Sequence, residues 1–217
     1  MADYDLDNAY EIDGPDNAKT LYGRWAETYD SSFSEGWGYI APREIAGIYT
    51  ALSDRNEPIL DIGAGTGLVA EHLPGRVVDG IDITQEMLDM AAQKGLYRHR
   101  ILGNVLEPLE MADDTYGGVI SSGTFTHGHV GPDCLQEMIR VCRSGALFVC
   151  GCIPQVFDRM GFGSRLAILN ARGLISDLSF RDIPIYEGKD HPHAADRGLA
   201  IKEGAKVVVN LCVELGF

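Results

Sequence analysis

The sequence predicts an α/β fold in which a mainly parallel sheet is covered by helices on both faces. Two observations support this fold class. Short apolar runs, typical of buried strands, alternate repeatedly with helical patterns along the chain. The chain has 217 residues, of which 45% are hydrophobic and 23% charged, as expected for one globular domain with its own core. In such sheets, ligands bind outside the carboxyl ends of the strands.

We predict a single domain that divides into three consecutive parts. Residues 1–17 form an acidic leader without Lys or Arg. Residues 18–52 form a helical lid, rich in aromatic residues, in which Gly36 and Gly38 separate two helices. Residues 55–217 form the core of alternating strands and helices.

Each predicted strand of the core is an apolar run that ends at a turn or a polar residue. The predicted strands cover residues 58–62, 77–83, 100–103, 116–121, 146–152, 178–186 and 206–213. Caps and helix breakers bound the intervening helices, because Thr84, Pro132 and the pair Pro74-Gly75 occur at their ends. The predicted helices cover residues 68–73, 84–95, 132–143 and 164–174.

Composition and charge disfavour several classes of partner. The net charge of −14 disfavours a nucleic-acid partner, because an acidic surface repels phosphate. No apolar run approaches the roughly 20 residues that span a bilayer. The first residues contain no basic segment of a secretory signal, so we expect no membrane partner. The five cysteines, an odd number, favour free thiols and a cytoplasmic location.

A glycine-rich turn, LDIGAGTG at residues 60–67, follows the first predicted strand. Glycine adopts positive φ angles and lets a ligand approach the backbone, so a ligand is expected over this turn. The dinucleotide fingerprint would need a glycine at the position of Leu68, and Asp61 would repel a pyrophosphate. Asp61 instead suits a ligand with cationic groups, such as S-adenosylmethionine, which has a sulfonium and an ammonium but no phosphate.

The second strand ends in Asp82, whose carboxylate can accept hydrogen bonds from both hydroxyls of a ribose. Nicotinamide-binding folds share this feature, so it does not discriminate between a nicotinamide dinucleotide and S-adenosylmethionine. Ile83 and Met87 follow it and can cover an adenine face, although Met87 is equally suited to the core of its helix.

Over nearly its whole length the sequence resembles the class I S-adenosylmethionine-dependent methyltransferases. LDIGAGTG resembles the cofactor motif of this family, GIDITQEML its second-strand motif and IRVCRSGALFV the segment before its fifth strand. LYGRWAETYD resembles the first helix of the ubiquinone-type branch, and GLVAEHL the Williams-Beuren-region methyltransferase-like proteins. The resemblance implies a Rossmann-like three-layer sandwich whose seven-stranded sheet has an antiparallel last strand.

The resemblance also implies roles for particular residues around S-adenosylmethionine. The glycine turn and Asp61 hold the methionine part, Asp82 holds the ribose, and Asn104 contacts the adenine where the family usually has Asp. Aromatic residues of the lid close over the cofactor, or pack as an ordinary amphipathic helix. The expected cofactor contacts are Tyr22, Trp25, Tyr29, Asp61, Gly63, Ala64, Gly65, Thr66, Gly67, Asp82, Ile83, Met87, Asn104, Val105 and Ser121.

The candidate catalytic residues follow the fourth strand. Methyl transfer mainly requires alignment and exclusion of water, and a base helps only if the acceptor has a proton to lose. His127 is the candidate general base, with a loop histidine that shapes the pocket as the alternative. Trp37, Tyr39 and His129 are the candidate substrate contacts. His191 and His193 have no third ligand at a defined spacing, so no metal is expected.

We therefore predict in-line methyl transfer from S-adenosylmethionine to a small-molecule acceptor, with S-adenosylhomocysteine as the other product. The aromatic lid favours an apolar or aromatic acceptor, and the acceptor atom stays open. The alternatives are a protein methyltransferase and a non-catalytic S-adenosylmethionine-binding protein. The protein is expected to be a monomer or a homodimer.

Overall fold

The structure, a computed structural model, describes residues 14–126 and 130–205. Its strands are β1 (Ile59–Ile62), β2 (Val78–Asp82), β3 (Arg100–Leu102), β4 (Tyr116–Phe125), β5 (Cys142–Cys152), β6 (Ile175–Pro184) and β7 (Arg197–Ala205). They form one sheet in the order β3-β2-β1-β4-β5-β7-β6. The strands β1 to β5 pair in parallel, whereas β7 is antiparallel to both β5 and β6. The predicted fold class is confirmed.

Helices cover both faces of this sheet. They are α1 (Pro15–Trp25), α2 (Ala41–Leu52), α3 (Gln85–Lys94), α4 (Cys134–Val141), α5 (Pro154–Arg159) and α6 (Phe162–Ala171), with a π-helix at Asp30–Glu35 and a 3-10 helix at Ala70–His72. One core cluster lies between the sheet and α4 and α6, and a second lies between the sheet and α2 and α3. No helix within the described ranges is long and apolar enough to cross a bilayer.

The strands supply both core clusters because successive side chains point to opposite faces of a sheet. In β4, Val119 belongs to the cluster under α4, and the next residue, Ile120, belongs to the cluster under α2. Phe148 and Val149 of β5 divide in the same way. This explains why the central strands are continuous apolar runs rather than alternating ones.

The segment predicted as the lid has two parts with different contacts. The helix α2 packs against the sheet, where Ile45, Ala46 and Tyr49 are fully buried. The preceding part, residues 14–40, packs its aromatic residues against Ile185 and Tyr186 in the connection between β6 and β7. Backbone hydrogen bonds from Ile40 to Ile185 and from Glu187 to Gly38 fix this contact.

Several predicted boundaries are wrong. Residues 68–73 form turns and a single 3-10 turn instead of an α-helix, because Pro74 and Gly75 end the segment before a second turn can form. A strand at Arg197–Ala205 was not predicted, whereas the strand predicted at 206–213 lies outside the described residues. The strand β4 extends to Phe125, beyond the predicted end at residue 121.

A buried ionic network joins the strands on the β2 side of the sheet. The Asp79 side chain is 2% exposed and accepts hydrogen bonds from Arg98 Nε at 2.9 Å and Nη2 at 2.6 Å. The hydroxyl of Tyr116 and the backbone N–H of His99 donate to the same carboxylate, both at 3.1 Å. Since a buried carboxylate depends on such partners, this network connects β2 to β4 and to the residues that precede β3.

Asp79→Asn is expected to lower the free energy of unfolding by about 2 kcal/mol, because it replaces charge-assisted hydrogen bonds inside the protein. Asp182→Asn is the matched control: Asp182 also accepts hydrogen bonds from Nε and Nη2 of one arginine, Arg197, but both side chains are exposed. Such exposed pairs contribute little to stability. Urea denaturation of both variants provides the measurement, and equal losses of stability would contradict the assignment.

Candidate active site

A cavity of about 980 Å³, partly open to solvent, lies at the carboxyl ends of β1, β2 and β4. We call it the first cavity. Most of the residues predicted to contact the cofactor line it: Tyr22, Tyr29, Gly63, Ala64, Gly65, Thr66, Asp82, Ile83, Met87, Asn104 and Val105. Trp25, Asp61, Gly67 and Ser121 do not line this cavity. No Lys or Arg is among its described lining residues, so it lacks the basic side chains that phosphate groups favour.

The glycine turn packs against the end of β4 more closely than any side chain would allow. A Cβ atom on Gly63 would lie 2.0 Å from Thr124 Oγ1, and Gly63 has a φ of +64°. The hydroxyls of Thr124 and Ser121 donate to the carbonyl oxygen of Ile62, at 2.9 and 2.7 Å. Ser121 therefore holds the turn against β4 from behind, outside the cavity.

Asp82 connects the glycine turn to the end of β2. Its carboxylate accepts hydrogen bonds from the N–H of Gly65 at 2.8 Å and the N–H of Thr84 at 2.8 Å. Burial raises the pKa of Asp82, and these backbone bonds oppose that shift. A carboxylate has about four acceptor positions, so Asp82 can still accept hydrogen bonds from a ligand in the first cavity.

Asp61 lies beneath the glycine turn and is fully buried. Its Oδ2 accepts a hydrogen bond of 2.7 Å from the hydroxyl of Tyr97, while Oδ1 has no hydrogen-bond partner among the described residues. Burial raises the pKa of Asp61 to about 7, and the bond from Tyr97 opposes this rise. Sequence reasoning missed Tyr97, because nothing in its local pattern distinguishes it from an ordinary residue after a helix.

A polar clasp joins the segment 14–40 to the glycine turn. The hydroxyl of Thr66 donates to Asp30 Oδ1 at 2.5 Å, and Lys94 Nζ lies 2.6 Å from Asp30 Oδ2. Lys94 also pairs with Glu71. Sequence reasoning missed Asp30 and Lys94, which are far apart in the chain and meet only through the packing of α3 beside the turn.

Asn104 lines the first cavity with its amide already engaged. Its Oδ1 accepts from the N–H of Leu106 at 3.0 Å, and its Nδ2 donates to Glu107 at 3.1 Å. The carbonyl of an amide has two lone pairs, so Oδ1 can accept one further hydrogen bond.

A second cavity of about 680 Å³, also partly open, adjoins the first. Both are lined by Tyr22, Tyr29, Tyr39, Ser122 and Gly123, and the second extends towards the ends of β5 and β6. Trp25 lines this second cavity instead of the first.

The other predicted substrate and catalytic residues lie outside both cavities or outside the described part of the chain. Trp37 lines neither cavity, since its ring packs against His191 with centroids 4.8 Å apart. His127 and His129 lie outside the described residues. His193 pairs with Asp196 at 3.0 Å. Within the described ranges, no group of three or more His, Cys, Asp or Glu side chains is arranged to hold a metal ion.

Residues 60–150 match a family model described as a methyltransferase domain. No curated protein matches the chain. The chain resembles the [4+2]-cyclase SpnF, with a TM-score of 0.64 and 16% identity over 91% of this chain and 99% of that one. It also resembles the CcbJ methyltransferase of Streptomyces caelestis, with a TM-score of 0.60 and 18% identity over 85% and 98% of the two chains.

A third similar structure is one described under the conversion of a disulfide bond into a thioacetal group during echinomycin biosynthesis. Its TM-score is 0.59, with 18% identity over 83% of this chain and 93% of that one. Identities this low establish the fold alone, whereas the family match covers the glycine turn, Asp82 and Asn104. Domain and fold together support a class I S-adenosylmethionine-dependent methyltransferase. Its cofactor is S-adenosylmethionine.

The first cavity fits this cofactor. The glycine turn leaves space that a Cβ would fill, Asp82 offers acceptors to a ribose, and Ile83 and Met87 supply apolar cover. These are the residues that would hold S-adenosylmethionine.

Gly63→Ala is expected to weaken S-adenosylmethionine binding about tenfold or more, because a left-handed alanine costs about 1–2 kcal/mol and its methyl group meets Thr124. Gly75→Ala is the control, since Gly75 has a φ of +77° and a Cβ added there would have no neighbouring atom within 4 Å. It is expected to lose stability through backbone strain while keeping its affinity. Calorimetric titration measures both, and normal affinity of Gly63→Ala would contradict the packing argument.

The burial of Asp61 predicts a pH dependence of stability. The folded pKa is about 7, against about 3.9 for an ordinary aspartate. The folded state therefore binds the proton more tightly, and this contribution to stability is complete below pH 4 and is lost as the pH rises to about 7. Asp61→Asn stays neutral, so its unfolding free energy should fall less between pH 4 and 8. An unchanged slope in cofactor-free denaturation would show that Asp61 titrates normally.

Proposed function

We propose that this methyltransferase acts on a small-molecule acceptor. The second cavity supports this proposal, because it adjoins the first and is partly enclosed by the aromatic residues of the segment 14–40. The likeness to a structure from echinomycin biosynthesis agrees with such a substrate.

S-adenosylmethionine supplies an activated methyl group, and the electron pair of the broken C–S bond stays on sulfur in S-adenosylhomocysteine. The residues of the chain bind the cofactor and the acceptor, align them with each other and exclude water from the site. The glycine turn and Asp82 hold the cofactor at the sheet edge, while Tyr29 and Tyr39 line the boundary between the cavities. Such alignment is the main requirement of an in-line transfer.

We further propose that residues 18–52 include a lid over the cofactor, between an acidic leader at 1–17 and the core at 55–217. The clasp of Asp30 with Thr66 and Lys94 supports this role, because it links the segment 14–40 to the turn that would hold the cofactor. Its release would free one side of the first cavity.

We also propose that His127 is the general base, with His129 and Tyr39 in contact with the acceptor. Thr126, which lines the second cavity, and Val130, which lines the first, flank these histidines in the sequence, and this supports the proposal. A histidine there would accept the proton that a hydroxyl, phenol or thiol loses on methylation.

Three further proposals concern the branch of the family, the cellular location and the oligomeric state. The similarity of LYGRWAETYD and GLVAEHL supports a place near the ubiquinone-type and Williams-Beuren-region branches. The buried free thiols of Cys134, Cys142, Cys150 and Cys152 agree with a reducing, cytoplasmic location. We propose a monomer or a homodimer.

The first test is calorimetric binding of S-adenosylmethionine and S-adenosylhomocysteine, with NAD as the control. We expect micromolar binding of the first two and none of NAD, because Leu68 replaces the fingerprint glycine. Asp82→Ala should weaken binding of both by about tenfold or more, since charge-assisted hydrogen bonds contribute about 1.5–3 kcal/mol. Absence of binding to the unaltered protein would contradict the proposed function.

The second test uses an acceptor found in a panel of phenols and quinone-like compounds. His127→Ala is expected to lower kcat about a hundredfold or more if His127 removes the acceptor proton, with cofactor affinity unchanged. An unchanged rate would remove His127 as the base. Activity confined to peptides or tRNA would contradict the small-molecule proposal itself.

A further inference from the structure

We propose that the second cavity takes a neutral, ring-bearing acceptor and that the hydroxyl pair of Tyr39 and Ser122 holds its reacting atom. This inference rests on the proposed function, because the cavity gains a catalytic meaning only beside a bound S-adenosylmethionine. It deepens that function by naming the chemical class of the acceptor and the groups that position it.

The hydroxyl pair lies where the two cavities meet. Tyr39 Oη and Ser122 Oγ are 2.9 Å apart, and both residues line both cavities. Gly123 has a φ of +82°, and a Cβ on it would lie 3.1 Å from Tyr39 Oη. The bend of β4 at Gly123 therefore brings the Ser122 side chain to the tyrosine hydroxyl at the boundary.

The walls of the second cavity favour a neutral occupant. None of the described residues that line it is Asp, Glu, Lys, Arg or His. The far wall consists of Ile153, Ile183, Ile185 and Tyr186. A charged group placed among such side chains without a partner would lose its hydration without compensation.

The polar groups in these walls are also neutral. Burial raises the pKa of the Cys152 thiol to about 12 and raises the pKa of Tyr29 well above its ordinary value. The pair of Tyr39 and Ser122 can both donate and accept a hydrogen bond. It can thus orient a neutral hydroxyl, without acting as the base that removes its proton.

Aromatic rings supply the wall on the side of the segment 14–40. Trp25 lies edge-on to Tyr29 and to Phe33, with centroids 5.0 and 5.6 Å apart, and stacks on Tyr22 at 6.2 Å. Edge-to-face and offset contacts of this kind stabilise a further ring beyond the area it buries. This favours a planar or ring-bearing acceptor over a flexible chain.

Two probes with the same ring and different charge test the inference. The full-length protein, saturated with S-adenosylhomocysteine, is titrated calorimetrically with 2-naphthol and with 2-naphthoate. We expect 2-naphthol to bind and 2-naphthoate to bind at least about tenfold more weakly, since the carboxylate would be desolvated. Tyr39→Phe and Ser122→Ala should each weaken 2-naphthol binding.

A cavity-filling variant locates the binding. Gly198 lines the second cavity and not the first, and a Cβ on it would lie 3.5 Å from Ile185 and 3.6 Å from Ile183, which are ordinary contacts. A valine there is therefore expected to occupy space in the second cavity alone. Gly198→Val should abolish 2-naphthol binding and leave S-adenosylhomocysteine binding unchanged. Gly47→Val adds the same side chain at an exposed position of α2 and should change neither.

The outcomes separate the two claims. If S-adenosylhomocysteine binds but 2-naphthol does not, or 2-naphthoate binds equally well, the assignment of the second cavity to a neutral acceptor is overturned and the proposed function stands. Unchanged 2-naphthol binding in Gly198→Val also overturns it. If S-adenosylhomocysteine itself does not bind the unaltered protein, the proposed function fails and the inference fails with it.

Discussion

The contact between the glycine turn and the end of β4 determines the geometry of the whole site. Gly63 leaves no space for a Cβ beside Thr124, and two hydroxyls of β4 bind the carbonyl of Ile62. Because this contact fixes the turn, the N–H of Gly65 meets Asp82 at the end of β2. The glycine turn, the end of β2 and the end of β4 all line the first cavity.

The same edge of the sheet also forms the boundary between the two cavities. β4 continues past Ser121 into Ser122 and Gly123, which line both cavities, and Tyr39 reaches them from the segment 14–40. One strand end therefore contacts the glycine turn on one side and the candidate acceptor space on the other. Under the proposed function, this arrangement would place the reacting groups of the two ligands close together, as an in-line transfer requires.

The segment 14–40 is held by two kinds of interaction. Its aromatic residues pack against Ile185 and Tyr186 in an apolar contact. Asp30 instead binds Thr66 and Lys94 through charge and hydrogen bonds at the rim of the first cavity. In the proposed lid, the apolar side would anchor the segment and the polar side would open, because water can replace its partners.

The sequence by itself determined the fold class, the glycine turn and Asp82, because strand alternation, backbone freedom and strand ends are local properties. It could not determine that Asp61 lies beneath the turn under Tyr97, or that Asp30 meets Thr66, since these contacts join distant segments. The end of β4 and the position of β7 depended on pairing with β5. Pairing partners, buried hydrogen bonds and cavity walls exist only once the chain has folded, so the tertiary structure decided them.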